Sequence, residues 1–151
     1  MPTSALTPIL SPDEINVFLA KVFPQLNPGK KRTYDCEAVG PGMAKMRMSY
    51  DHGQLRPGGT ISGPAMFALA DVGLYVAILA HIGPVPLAVT TTMTINFLRK
   101  PGAKDLLAEC RLLKLGKRLA VGEVLLFSDG DPELVAHVTG TYSIPPRGAG
   151  A

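Results

Sequence analysis

Apolar positions change rhythm along the chain, and each change marks an element. In "SPDEINVFLAKVFPQL", residues 11–26, Ile15, Phe18, Leu19, Val22 and Phe23 recur at helical spacing. Ser11 is placed to cap, Pro12 suits the first helical position, and Asp13 and Glu14 complement the positive helix end. A short amphipathic helix is therefore expected over residues 12–23, stopped by Pro24. In "TYDCEAVGPGMAKMRMSYD" the rhythm shortens to alternation, with Ala44, Met46, Met48 and Tyr50 on one arm and Gly40-Pro41-Gly42 as the turn, which predicts a hairpin. Polar "DHGQLRPGGT" reads as a loop. From Gly63 to Ala80 the alternation vanishes: nearly every residue is apolar or small, and Asp71 is the only charge. Three β-like runs follow, "LAVTTTMTINFLRK", "DLLAECRLLKLGKRLAVGEVLLFS" and "ELVAHVTGTYSIP", the second folding at Leu115-Gly116-Lys117. Asp129-Gly130-Asp131-Pro132 is a strong turn before the third. The expected order is helix, hairpin, long buried helix and a four-stranded antiparallel meander, with a disordered tail at 145–151.

A helix that is apolar on nearly all sides needs cover all round. One curved antiparallel sheet covers one side, and a second copy of the chain can cover the rest, so a homodimer is expected on physical grounds. The run Gly63–Ile82 approaches the length of about 20 apolar residues that crosses a bilayer. Asp71 and Gly73 near its centre, and the β-patterned chain after it, favour a core helix, so no membrane partner is expected.

The 151 residues suit one domain spanning 1–151, with a core at about 33–144, and no repeat or linker divides them. A net charge of +3 and a pI near 9.0 are too mild to indicate nucleic acid, but they suit a phosphate-bearing small molecule. "MPTSALTPIL" lacks a secretory signal, so a cytoplasmic protein is expected. The two cysteines, Cys36 and Cys110, have no zinc or redox spacing and read as free buried thiols. No grouping of His, Cys, Asp and Glu has metal-ligand spacing, so no metal is expected.

Asp71 carries the chemistry. A lone carboxylate packed against protein must be paired, protonated or functional. Before it, Ser62 is a natural N-cap and Pro64 lies in the first turn, so the helix starts near Gly63 with backbone N–H groups pointing outward. Those donors suit an anion or oxyanion, although a plain capped helix accounts for the same residues. Asp71 lies eight residues beyond Gly63, about 12 Å of helical rise, so the two cannot meet one reacting atom within a chain. Antiparallel packing of two such helices would bring Asp71 of one copy to the helix start of the other, giving two equivalent sites.

The pattern "GGTISGPAMFALAD", followed by "AVTTTMTINFLRKP" and "LLKLGKRLAVGEVLLFSDG", resembles the PaaI-like acyl-CoA thioesterases of the hotdog-fold superfamily, over about residues 33–144. The resemblance implies an α+β hotdog fold, in which a curved antiparallel sheet of five to six strands wraps a long central helix, here with a short N-terminal helix added. It also implies hydrolysis of acyl-CoA without a separate cofactor, coenzyme A being part of the substrate, and self-association as a homodimer extended to a homotetramer. By resemblance, Asp71 is the general base or nucleophile, the N–H of Gly63 polarises the thioester carbonyl, and Thr90 positions water, with Thr91 and Thr92 as register alternatives. Ser62 stands where relatives carry histidine, and Arg56 stands where many carry asparagine. Arg56 brings a fixed charge and five donors, suited to holding Asp71 of the second copy or an acidic group of the substrate.

Around these, Gly59 belongs to the loop before the helix. Phe67, with Met66, Leu74 and Tyr75, flanks Asp71 as core or as acyl-pocket wall. Arg99 and Lys100 end a strand, and Lys114, Lys117 and Arg118 cluster at a hairpin. Such charges are ordinarily solvated, but in the family comparable residues meet the phosphates of coenzyme A. His52 reads as a surface turn residue or a replacement imidazole, His81 as a helix C-terminal contact and His137 as structural. The competing function is a non-catalytic acyl-CoA or fatty-acyl binding protein. A hydratase is disfavoured because the apolar helix lacks an Asp-x-x-x-x-His pair.

Overall fold

Six strands of alternating burial build one antiparallel sheet around a long apolar helix. The computed structural model describes residues 2–29 and 31–146. Pro145 and Pro146 form no regular element, and the rest of the tail expected to be disordered lies outside the described residues. Helix α1 spans Pro12–Val22, α2 spans Gly63–Ile82, and the strands are β1 (Tyr34–Gly40), β2 (Met43–Met48), β3 (Val89–Phe97), β4 (Leu106–Leu115), β5 (Leu119–Ser128) and β6 (Leu134–Ser143).

The sheet order is β1-β2-β4-β5-β6-β3, so the expected four-strand meander needs correction. β4, β5 and β6 pair consecutively, but β3 pairs with β6 and β2 takes the free side of β4. The reason is the connection: α2, about 30 Å long at 20 residues, intervenes between β2 and β3 and lets the chain re-enter at the far edge.

The inward faces of the strands close on α2, with Met46, Met48, Leu106, Leu126 and Val138 fully buried against it. By length and composition α2 could cross a membrane, but 67% of its most apolar window is buried inside the fold. Leu74 seats the helix in a notch made by two paired glycines: a Cβ on Gly122 would lie 2.5 Å from Leu74 Cδ2, and one on Gly140 2.7 Å from Cδ1. Both cysteines are buried and free.

The two sheet edges differ. Helix α1 starts with a complete capping box, Ser11 with Glu14, and packs on β1. There Asn16 accepts from the N–H of Cys36 at 2.9 Å and donates to its carbonyl at 3.1 Å, so the edge of β1 is blunted. β3 is the other edge, nine residues long, with Leu87, Val89, Phe97 and Leu98 more than half exposed along it.

At the end of α2, Gly42 donates its N–H to His81 Nε2 at 2.9 Å, and His81 Nδ1 lies 2.7 Å from the carbonyl oxygen of Ala77. Nε2 also lies 3.2 Å from the carbonyl oxygen of Gly40. His81 thus fastens the β1–β2 turn to the helix, a more specific role than the dipole contact expected of it.

Candidate active site

The carboxylate of Asp71 is held from the sheet. Thr90 Oγ1 donates to Asp71 Oδ1 at 2.5 Å, and the hydroxyl of Tyr142 lies 2.5 Å from the same oxygen and 2.8 Å from the Asp71 carbonyl oxygen. Thr90 on β3 and Tyr142 on β6 are register partners, and a bulge makes them so. Met93 opposes Gly140 and Ile95 opposes Val138, so strict alternation would carry Thr91 opposite Tyr142. The extra residue between Thr90 and Thr92 instead turns Thr90 inward and leaves Thr91 outward, bonded to the carbonyl of Thr141 at 3.2 Å. Among the three threonines, the bulge selects Thr90 as the one that touches Asp71.

Asp71 lines a cavity of about 610 Å³ whose other walls are mainly apolar, including Val72 and Tyr75 from α2, Pro86 and the exposed Val89 at the start of the β3 edge, and Val22, Phe23 and Leu26 from the N-terminal segment. Tyr75 donates to the carbonyl of Pro86 at 2.9 Å, packs edge-on to Phe23 with centroids 6.3 Å apart, and lies 6.4 Å from the ring of Tyr142. The aromatic rings therefore lead from the rim to the carboxylate. Burial first, and then the charge of Asp71, push the Tyr142 hydroxyl far above the ordinary phenol range, so it remains a donor.

Gly63 lies elsewhere. Ser62 caps α2, accepting from the N–H of Ala65 at 3.2 Å, while Met66 donates to the Ser62 carbonyl at 3.1 Å and Pro64 has no N–H. Of the first-turn donors, the N–H of Gly63 alone has no acceptor among the described residues. Phe97 lies over it, and a Cβ at position 63 would come within 3.2 Å of the Phe97 ring. The cleft beside it, about 490 Å³, brings together Gly63, Arg56, Arg99 and Lys100 from separate parts of the sequence. Arg99 also pairs with Glu133 at 3.2 Å. Arg56 projects from a tight turn in which Gly58 and Gly59 adopt φ of +98° and +80°, so Gly59 is required by the backbone reversal.

The remaining candidates separate. Lys117 and Arg118 line a hollow of about 650 Å³ near the C-terminal end of α2, beside Ile82 and Val85, and Lys114 does not line it. Phe67 is 37% exposed on α2 and outside the Asp71 cavity, Met66 lines the Gly63 cleft, Leu74 fills the glycine notch, and Tyr75 alone of the four lines the cavity. His52 is exposed in a single 3-10 turn, and His137 lies 3.0 Å from Glu123. No cluster of three or more metal-ligating residues occurs among the described residues. Tyr142 and the Phe23 segment escaped the sequence reading. The one available signal was Val138, Gly140 and Tyr142 alternating on one face of β6, which places a phenol inside where its hydroxyl needs a partner.

The family model of the Thioesterase superfamily matches residues 58–135, just over half the chain and the stretch that carries Gly63, Asp71 and Thr90. A thioesterase-named structure from Silicibacter sp. TM1040 is 48% identical, with a TM-score of 0.84, covering 93% of this chain and 96% of that one. A variant of the phenylacetic acid degradation protein PaaI of Thermus thermophilus is 27% identical, with a TM-score of 0.68, over 81% of this chain and 99% of that one. An esterase-named protein of Saccharolobus solfataricus is 26% identical over 147 residues, 95% of this chain and 92% of that one. With the hotdog architecture of helix and sheet, these matches show that the chain belongs to the thioesterase superfamily.

Proposed function

We propose that the chain hydrolyses an acyl-CoA thioester at a site shared by two copies. The observation that carries the reading is the Asp71 carboxylate, held by Thr90 and Tyr142 in the wall of an apolar cavity. Of the two sheet edges, only β3 is left open among the described residues, with apolar side chains along it, and a second copy added antiparallel about the middle of β3 would cover it. The same two-fold sets the Thr90 end of one β3 against the Phe97 end of the other. It thereby brings the Gly63 N–H of one copy toward Asp71 of its mate. Arg56, Arg99 and Lys100 then flank the entrance, suited to the phosphates of coenzyme A.

In the reaction, the thioester carbonyl oxygen accepts from the N–H of Gly63 at the positive end of α2. Asp71 takes a proton from water as the water oxygen bonds to the carbonyl carbon, or attacks that carbon itself, breaking the carbon–sulfur bond and releasing the coenzyme A thiolate, to form a mixed anhydride that water then opens to the free acid and the Asp71 carboxylate. In the water route the tetrahedral oxyanion collapses, the carbon–sulfur bond breaks, and the thiolate of coenzyme A leaves. The proton held by Asp71 passes to solvent or the thiolate, restoring the carboxylate. Ser62 brings no imidazole, but its hydroxyl, which accepts the Ala65 N–H as the helix cap, keeps one O–H to donate to substrate.

The test is incubation with aryl and short- to long-chain acyl-CoAs while a thiol reagent reports free coenzyme A. Release supports hydrolysis. Tight binding of the panel without release would instead favour an acyl-CoA binding protein.

A further inference from the structure

We infer that Tyr142 is a positioning residue for this reaction: together with Thr90 it saturates Oδ1 of Asp71 and leaves Oδ2 as the oxygen that takes the proton. A carboxylate oxygen offers about two lone-pair directions. Both are engaged at Oδ1, by Thr90 and by Tyr142 at 2.5 Å each, whereas no hydrogen bond to Oδ2 is made among the described residues. Oδ2 is not sealed away, since no buried side-chain oxygen or nitrogen among the described residues lacks a partner, and Asp71 lines the cavity. The two carboxylate oxygens are thus unequal, one fixed by the sheet and one open to water or substrate.

The hydroxyl of Tyr142 has no other evident purpose. The residue is only 3% exposed, a packing duty against α2 that phenylalanine would meet. The oxygen instead lies 2.8 Å from the carbonyl oxygen and 2.5 Å from Oδ1 of Asp71, so its single proton is directed at one residue, chiefly at the nearer Oδ1, and holds the side-chain rotamer. Because β6 carries Tyr142 and β3 carries Thr90, the carboxylate is gripped by two adjacent strands across a bulge that aligns them. Short bonds from neutral hydroxyls to a charged carboxylate are among the stronger hydrogen bonds in proteins, and here they act on orientation.

The kinetic consequence rests on the thioesterase reading; the geometry does not. The experiment therefore has two arms. In the first, Tyr142→Phe, Thr90→Val and Thr90→Ser are assayed for coenzyme A release. Loss of one hydroxyl bond to a charged group corresponds to a fall of about ten- to a hundredfold in kcat, with KM unchanged within about twofold. Thr90→Val should fall likewise and Thr90→Ser should recover most of the rate. A Tyr142→Phe enzyme with kcat within about twofold of wild type, or one defective in KM alone, overturns the inference. In the second arm, without substrate, the carboxyl carbon resonance of Asp71 is compared between wild type and Tyr142→Phe, with core methyl resonances reporting an intact fold. A displaced Asp71 signal supports the clamp and an unmoved one overturns it. If no acyl-CoA is cleaved by wild type, the thioesterase reading fails while this second arm still decides the clamp.

Discussion

Leu74 occupies the space that a side chain on Gly122 would need, with a Cβ there falling 2.5 Å from Leu74 Cδ2. The glycine is an opening in β5 through which α2 approaches the sheet, and Asp71 lies one turn up the helix from Leu74. Helix seating at Leu74 and carboxylate placement at Asp71 are therefore coupled through one turn of α2. Gly122→Ala should destabilise the chain by about 1–3 kcal/mol through overpacking. It should also lower kcat, because a displaced α2 pulls Asp71 from Thr90 and Tyr142. Denaturant unfolding and steady-state kinetics check this, and unchanged stability would show that Leu74 relaxes at no cost.

Phe23 should act on acyl selectivity. It stands at the rim of the Asp71 cavity, edge-on to Tyr75, although it belongs to the segment joining α1 to the rest. Phe23→Ala removes a wall against which a compact acyl group packs. We expect kcat/KM for aryl and short apolar acyl-CoAs to fall about tenfold, with a relative gain for longer chains. A uniform fall across the panel would place Phe23 in stability and not in selection.

Much of this was legible in the sequence, for physical reasons that also explain the rest. The Ser11 cap, the Ser62 cap and the lone charge in α2 are local signals, set by neighbours within a turn, and all three describe the structure. Strand order is not local. Nothing in the alternation of β3 says that its partner is β6, because that depends on where a 20-residue helix delivers the chain. The same holds for Thr90: three consecutive threonines have identical chemistry, and only an inter-strand bulge distinguishes them. Tyr142 lies 71 residues from Asp71, in a run that reads as any half-buried strand.

The basic cleft should govern binding more than turnover. Arg56 and Lys100 line the cleft with Gly63, while Arg99 already pairs with Glu133. Arg56→Ala and Lys100→Ala should each raise KM for acyl-CoA about three- to tenfold with little change in kcat, the pattern of lost uniform binding. The effect should shrink as salt rises, because exposed charges are screened. Arg99→Ala should do less. A fall in kcat at unchanged KM for Arg56→Ala would assign that guanidinium to the transition state.

Stability should decline in alkali. Burial raises the Cys36 thiol from 9.0 to about 11, and it pushes the Cys110 thiol and the Tyr142 hydroxyl further up still. Each group keeps its proton in the folded chain after the unfolded chain has released it. The Cys36 contribution is therefore complete below about pH 9 and is lost as pH climbs through about 11, and the contributions of Cys110 and Tyr142 go on falling above that. Tm should fall steadily over that window, and the Cys36→Ala, Cys110→Ala double variant should fall less steeply. An equal slope in the variant would remove the thiols as its cause.

The central claim is that Asp71 performs the chemistry, and its amide tests that most directly. Asp71→Asn keeps the side chain's size and an oxygen able to accept from Thr90 and Tyr142, but it removes the charge that accepts a proton from water or attacks the thioester. Coenzyme A release and calorimetric binding of the best acyl-CoA should be measured on the same preparation. The account predicts that kcat falls by at least about a thousandfold while acyl-CoA binding stays within a few fold of wild type. Release at near the wild-type rate by Asp71→Asn would contradict it.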